Sequence, residues 1–271
     1  MPELPEVETT RNGIAPYILN NKIKRIILRR TDLRWPIPAE IKQVFAAQYI
    51  THIERRGKYL LLKATPGTLI LHLGMSGSLR IVKHDQPINK HDHVDIIFIG
   101  NLCLRFTDPR RFGCLLWTAA DPLEHPLLKS LGVEPLSQAF NTDYLWQRTR
   151  KRKVSIKQLL MNGRVVVGIG NIYANEALFD AGIRPMKLAT ELTKSQCNAL
   201  VFSVKTTLRR AIKAGGTTIN DFTHIDGKPG YFQQKLHVYG RDGESCSRCQ
   251  SNIKSKIISG RSSFYCPWCQ P

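Results

Sequence analysis

Between residues 22 and 118 the apolar positions come in short runs of strand length: "KIKRIILRR", "YLLLKA", "TLILHLG", "SLRIVK", "VDIIFIG", "LCLRF" and "CLLWTA". Turn formers separate them, including Pro66-Gly67 and Gly100-Asn101, and this spacing predicts strands folded as a sandwich or barrel. "AEIKQVFA" at 39–46 reads as a short helix among the strands. Another short helix opens the chain, with Pro5 suited to its first turn and Glu6 and Glu8 to its positive end.

From about residue 120 the period changes. "DPLEHPLLKSLGVEPL" is a Pro-rich connector, and beyond it apolar positions recur at helical spacing. Helices are predicted over 142–151, 154–162, 171–181 and 193–214, the last with Leu200, Val201, Val204, Leu208 and Ile212 on its apolar stripe. "AGGTTINDFTHIDGKPGYF" then reads as a long loop, and loops of that length in compact proteins are usually functional or disordered. The implied fold class is α+β and multidomain. A β-sandwich with its opening helix spans 1–120, a linker 121–140, a mostly helical part 141–240, and a cysteine-bearing module 241–271.

At 271 residues and 42% hydrophobic content, the chain is long enough for two ordinary domains. No apolar run nears the ~18 residues of a membrane span, and the N-terminus lacks the pattern of a secretory signal. A soluble cytoplasmic protein is expected. Charge narrows the partners: 40 Lys and Arg against 21 Asp and Glu give a formal +19. The basic residues are spread along the chain rather than gathered in a tail, which fits a folded nucleic-acid binder better than a membrane-surface arm. A merely solvated basic surface is the alternative.

Of the seven cysteines, Cys103, Cys114 and Cys197 stand alone and read as small buried hydrophobes. Cys246, Cys249, Cys266 and Cys269 form C-x2-C-x16-C-x2-C, the spacing of a four-thiolate zinc site whose halves are joined by a β-hairpin. Two disulfides are the competing reading, which a reducing cytosol disfavours. Four thiolates leave no open coordination position, so such a zinc is structural. Lys254, Lys256 and Arg261 at the hairpin tip, with Phe264 and Tyr265 nearby, make it a phosphate-contacting finger or a solvated hairpin.

Three further stretches carry candidate chemistry. "GIGNIYANEALF" puts Asn171 at a helix start as a cap, where backbone N–H groups suit a phosphate. "FTDPRRFG" sets an arginine pair before an aromatic in a turn, and "HLGMSGS" sets Met75 between glycines. An exposed Met and Phe on loops of a basic protein fit wedges that enter a base stack, whereas core residues at strand ends are the commoner outcome.

Together, "MPELPEVETTRNGIAP", "RRGKYLLL", "LHLGMSGSLR", "KHDHVD", "DPRRFG", "GIGNIYANE", "GGTTINDF", "DGKPGYF", "VYGRDGE" and the four-cysteine tail resemble the formamidopyrimidine-DNA glycosylase family of bacterial repair enzymes. The resemblance runs along essentially the whole chain, in order. It implies a helix-two-turn-helix within 141–240, a zinc finger at 241–271, one structural zinc, a duplex DNA partner with damaged purines, and a monomer. The implied activity is removal of oxidised purines followed by cleavage of the abasic strand.

The same resemblance implies the site. Pro2, exposed by loss of Met1, is the nucleophile, Glu3 its general acid/base, Glu6 a supporting carboxylate, and Lys58 a phosphate contact and proton donor. Met75, Arg110 and Phe112 fill the space left by an extruded base, with Arg110 facing the orphaned cytosine. His91, Arg110, Asn171 and Arg261 contact DNA. The loop over 215–232 closes on the base, with Thr217, Thr218 and Tyr239 as contacts. Two positions depart from the family pattern: Asn220 stands where a basic residue is expected, and Trp268 lies inside the last C-x2-C. Two rivals remain at this level, a pyrimidine-lesion enzyme of the endonuclease VIII type and a zinc-bearing DNA-binding protein without chemistry.

Overall fold

The structure is a computed structural model that describes residues 2–150, 152–215 and 236–271. Its contacts divide it into two compact units, one built on the residues up to Lys129 and the other on Ser130–Ala214 with the C-terminal part through Pro271.

In the first unit, α1 (Leu4–Ile18) leads into eight strands: β1 (Ile23–Leu28), β2 (His52–Arg56), β3 (Tyr59–Ala64), β4 (Gly67–His72), β5 (Ser78–Lys83), β6 (Asp92–Phe98), β7 (Leu102–Thr107) and β8 (Cys114–Thr118). A short α2 (Ile41–Val44) follows β1, occupying only the middle of the predicted 39–46 helix. The strands form two four-stranded sheets, ordered β1-β6-β7-β5 and β2-β3-β4-β8, with antiparallel pairing throughout. One apolar core joins both: Ile26, Leu79, Ile96 and Leu104 from the first sheet meet Leu60, Leu62, Leu71 and Leu115 from the second. The expected sandwich is therefore present. Gly100 (φ 83°) and Asn101 (φ 66°) both take the left-handed conformation in the three-residue turn that joins β6 to β7.

The opening helix is longer than its sequence pattern implied. Val7, Ile14 and Ile18 recur at helical spacing and enter the sandwich core, each burial stabilising the unit by roughly 1.5–3 kcal/mol. β2 escaped the pattern altogether. Of "HIERR" only Ile53 is buried, because β2 is an edge strand and its other side chains are polar.

Strand β7 also differs from its pattern: Arg105, which alternation would leave in solvent, is 1% exposed. Its guanidinium holds Asp95 by two hydrogen bonds of 2.9 and 3.0 Å, and Arg29 holds the same carboxylate. Arg80 and Thr107 both donate to buried Asp92. Two arginines, a bidentate geometry and a shared carboxylate are what allow charge at this depth.

The second unit contains α3 (Thr142–Arg150), α4 (Ile156–Leu160), α5 (Asn171–Asp180) and α6 (Lys194–Lys213), followed by the hairpin β9 (Lys254–Ile258) and β10 (Arg261–Tyr265). Leu145, Leu159, Leu178, Leu200, Val204 and Leu208 share its core. On α6 the buried stripe ends at Ala211, whereas Ile212, predicted on that stripe, is only half-buried. Both α4 and α6 start with a capping box, Ser155 with Gln158 and Thr193 with Gln196.

The Asp95 pair is expected to be the weak point of the first unit when one partner is removed. Asp95→Ala leaves Arg105 buried without its bidentate partner and lowers unfolding stability by about 3–5 kcal/mol, read as a fall in the urea midpoint. Burial alone would raise the Asp95 carboxyl, but the Arg29 and Arg105 hydrogen bonds outweigh it and hold it below its usual range. A lowered folded-state value means this contribution is complete above about pH 4 and is lost as pH falls below it. The wild-type midpoint therefore drops with acidification and the variant's drops less.

Candidate functional site

The start of α1 is built from its own first six residues. Glu3 occupies the cap with extended backbone, and the Glu6 carboxylate accepts the Glu3 N–H at 2.8 Å. Both acids are buried, at 3% and 7% exposure. Pro5, which has no N–H, lies in the first turn where none is needed. Hydroxyl bonds from Thr9 to the Pro5 carbonyl and from Thr10 to the Glu6 carbonyl tie the next turn down. Half-buried Pro2 is thereby held at the end of a fixed helix, next to two carboxylates.

Lys58 lies in the turn from β2 to β3, and a half-buried relay connects that turn to α1. Arg55 donates through Nε to Glu8 at 2.7 Å and through its terminal nitrogen to the Gly57 carbonyl at 3.1 Å. Glu8 also receives Arg11. Burial would raise the Glu8 carboxyl, yet the hydrogen bonds from Arg11 and Arg55 hold it low, so the relay stays ionised at neutral pH.

His72 closes β4 beside this turn, its ring 4.7 Å from that of Tyr59. Its Nδ1 accepts the Gly74 N–H at 2.9 Å, which leaves the neutral ring's proton on Nε2. Burial, then the Lys58 and Arg34 charges, push its pKa down to about 4. A donor with a fixed tautomer thus sits where the charge of Lys58 is felt, and the sequence reading passed it over because "HLG" looked like a strand end.

Two loops meet next to His72. The loop after β4 carries Met75, and the turn after β7 carries Arg110 and Phe112, with Met75 41% and Phe112 46% exposed. Gly74 (φ 66°) has no room for a Cβ, which would lie 2.4 Å from both Gly113 N and Phe112 C. The backbones of the two loops are therefore in direct contact. The Arg110 guanidinium lies 5.0 Å from the Phe112 ring centroid. His91 belongs to the same cluster through its carbonyl, which accepts the Asp108 N–H at 3.0 Å. Met75 and Phe112 are therefore exposed loop residues rather than strand-end core.

In the second unit the polar face of α5 organises the site. Gly170, not Asn171, holds the cap position. Asn171 is the first helical residue, and its amide donates to the Ser262 carbonyl at 3.1 Å on β10, as Lys157 does at 2.9 Å. Asn175 accepts the Phe264 N–H. Buried Glu176 accepts three consecutive N–H groups, from His237, Val238 and Tyr239, at 2.7, 2.9 and 3.0 Å. Nothing in the sequence distinguished Asn175 or Glu176 from surface polar residues. Tyr239 packs edge-on to Phe264, and Arg261 is exposed at the start of β10. Thr217, Thr218, Asn220 and most of the predicted 215–232 loop lie outside the described residues.

Cys246, Cys249, Cys266 and Cys269 converge, with all four Sγ atoms within 4.8 Å of one another. The Cys246–Cys269 and Cys249–Cys266 separations are 3.9 and 3.4 Å. A tetrahedron with ~2.3 Å metal–sulfur bonds has edges of ~3.8 Å, so the donor set fits one divalent ion. All seven cysteines are unbridged, and Cys103, Cys114 and Cys197 are buried as expected. The Trp268 side chain is 77% exposed, while its backbone hydrogen-bonds to Cys266.

Comparison with known proteins gives two family models, the formamidopyrimidine-DNA glycosylase N-terminal domain over residues 1–115 and the formamidopyrimidine-DNA glycosylase H2TH domain over 131–223. A Saccharophagus degradans protein named formamidopyrimidine-DNA glycosylase is 53% identical over 270 residues, covering 100% of both chains. A Lactococcus lactis FPG variant in complex with Fapy-dG-containing DNA superposes with a TM-score of 0.91 at 35% identity, covering 99% of each chain. The L. lactis Fpg complex with abasic-site DNA gives 0.90 at 35% identity and the same coverage.

The state of His72 is directly measurable. In an NMR pH titration its imidazole is expected to titrate near 4 and to stay neutral at pH 7. Lys58→Met removes one of the charges holding that value down, so the midpoint rises. Because the folded value lies below the unfolded ~6.5, the stability linked to His72 is complete above that pH and lost as pH falls toward 4.

Proposed function

The chain belongs to the formamidopyrimidine-DNA glycosylase family, and on that premise we propose that it excises oxidised purines, 8-oxoguanine and formamidopyrimidines, from duplex DNA and then cleaves the abasic strand. The observation that carries this reading is the capped start of α1, which holds Pro2 beside buried Glu3 and Glu6.

A free α-amino group has a pKa near 8, so far more of it is unprotonated at neutral pH than of a lysine near 10.4. Pro2 gains that amine only when Met1 is removed. Its nitrogen attacks C1′ of the damaged nucleotide, and the base leaves with the bonding electron pair and takes up a proton. Opening of the sugar ring, with a proton delivered to O4′ by Glu3, gives an iminium at C1′. Because the amine is secondary, that iminium is positively charged without needing a proton. It withdraws electrons as a proton is removed from C2′, and the 3′ and then the 5′ phosphate depart by β and δ elimination. Hydrolysis of the iminium frees Pro2. Lys58 supplies a cation and a proton donor at the phosphates, and Glu6 fixes the Glu3 backbone.

The lesion must be extruded for C1′ to be reached, at a cost of a few kcal/mol. Met75, Arg110 and Phe112 occupy the vacated space, with Arg110 meeting the unpaired cytosine. His91, Asn171 and Arg261 hold phosphates, while Thr217, Thr218 and Tyr239 contact the base or its backbone. Zinc is the ion that suits four thiolates at this spacing, and its role is to hold the β9–β10 hairpin beside α5. The protein acts as a cytoplasmic monomer.

Borohydride trapping tests the chemistry. Protein shown by mass to begin at Pro2 is incubated with 8-oxoguanine duplex and reduced, and a covalent protein–DNA adduct is expected. Its absence from protein of that mass would leave a DNA-binding role only. Cleavage of thymine-glycol duplex in preference to 8-oxoguanine duplex would transfer the chain to the pyrimidine-lesion branch.

Metal removal tests the finger. Metal analysis is expected to find about one zinc per chain. Chelation or Cys249→Ser releases the hairpin and weakens duplex binding by tenfold or more, while the sandwich unit keeps its own unfolding transition.

A further inference from the structure

The two loops bearing Met75, Arg110 and Phe112 are joined through one carboxylate that the proposed reaction does not use. Asp108 is 0% exposed. Its Oδ1 accepts the Ser76 hydroxyl at 2.8 Å and its Oδ2 accepts the Gly113 N–H at 2.8 Å. The single Ser76 proton is committed to Asp108, which turns a lone pair of the same oxygen toward the Arg110 N–H at 3.1 Å. The main chain of Asp108 is equally engaged. Its N–H donates to the His91 carbonyl at 3.0 Å, and its carbonyl accepts from Arg111 N at 3.3 Å and contacts His93 Nε2 at 2.9 Å.

These bonds reach every segment of the cluster. Ser76 follows Met75 directly, Arg110 is bonded to Ser76, Gly113 follows Phe112, and His91 directly precedes β6. Between them, Arg111 is held at φ 59°, a left-handed conformation that a non-glycine residue keeps only when its surroundings impose it. A Cβ on Gly113 would lie 2.6 Å from the His72 carbonyl and 3.0 Å from Asp108 Oδ2, so the turn packs against both with no room for a side chain. The side chains at the tips, Met75, Arg110 and Phe112, are exposed, and Arg110 lies over the Phe112 ring.

We propose that Asp108, acting through Ser76, is a positioning residue that locks Met75, Arg110 and Phe112 into a single preformed wedge, so that base extrusion does not wait for two separate loops to order. The inference rests on the function proposed above. A wedge ordered during folding fills the gap behind a departing base at once, whereas loosened loops let the base return to the stack before it is captured. The contribution of Asp108 is therefore concentrated in the step that moves a base, and is smaller where no base remains to be moved.

Single-turnover rates on two substrates separate this role from a merely structural one. Asp108→Ala is expected to slow excision from an 8-oxoguanine:cytosine duplex by about tenfold or more, with cleavage of a preformed abasic duplex slowed by much less. Ser76→Ala gives the same split with a smaller loss and serves as the test if Asp108→Ala does not fold. Asp108→Asn keeps an acceptor for Gly113 N–H and recovers part of the rate. Equal losses on both substrates, or no loss on either, would overturn the inference.

If the wild type excises nothing, the function proposed above fails. The wedge is then read without catalysis, by 2-aminopurine next to a tetrahydrofuran abasic analogue. Wild-type binding raises the fluorescence and the Ser76 variant raises it less. An equal rise in both would again overturn the role of Asp108.

Discussion

A chain terminus is ordinarily the least ordered part of a domain, and the role proposed for Pro2 requires this one to be among the most ordered. Every element around Pro2 follows from that constraint. Val7, Ile14 and Ile18 fasten α1 into the sandwich core by apolar burial, which fixes the axis of the helix but not its first residue. The Glu6 carboxylate fixes that residue by accepting the Glu3 N–H. Glu8 then extends the same helix outward to Arg55, whose second bond reaches the turn that carries Lys58. Two acids on one helix, Glu6 and Glu8, thus tie Glu3, the neighbour of Pro2, and the lysine turn to one rigid element.

Buried carboxylates play the same part across both units. Glu3, Glu6, Asp92, Asp95, Asp108 and Glu176 are all buried, in a chain with only 21 acids against 40 bases. Most of them accept backbone N–H groups or a buried guanidinium, so each anchors a loop or turn without being left unpaired. The consequence for the surface is direct. Acids withdrawn into the interior no longer offset exposed Lys and Arg, and the outside is more positive than the composition alone implies, as a polyanion-binding protein requires.

Much of this was legible in the sequence, and the parts that were not have physical reasons. Strands such as "YLLLKA" and "VDIIFIG" announced themselves because both faces are covered, and the C-x2-C pairs because metal geometry fixes their spacing. β2 stayed hidden because an edge strand exposes its polar side chains and only Ile53 turns inward. Asn171 was placed one residue early because Gly170 caps with backbone alone, which leaves no side-chain signature. Asp108, Glu176 and His72 were missed because their roles depend on partners distant in sequence: Ser76, the His237–Tyr239 backbone, and Lys58. The family resemblance named candidates for touching substrate, but it carried no information about the residues that hold those candidates in place.

The finger illustrates how far such holding extends. Cys266 follows β10 directly, and Phe264 of that strand packs against the cysteine cluster. What joins the hairpin to the helical core is the polar face formed by Lys157, Asn171 and Asn175, which together engage Ser262, Ser263 and the Phe264 N–H. Lys157 is 1% exposed, and two of the acceptors of its ammonium, the Ser262 carbonyl and the Ser263 hydroxyl, lie on β10. Loss of the hairpin would remove both from a buried cation and leave Asn171 without its Ser262 partner. An ion at the four cysteines would therefore bear on α4 through Lys157 and on the start of α5 through Asn171, both of which meet β10 at Ser262.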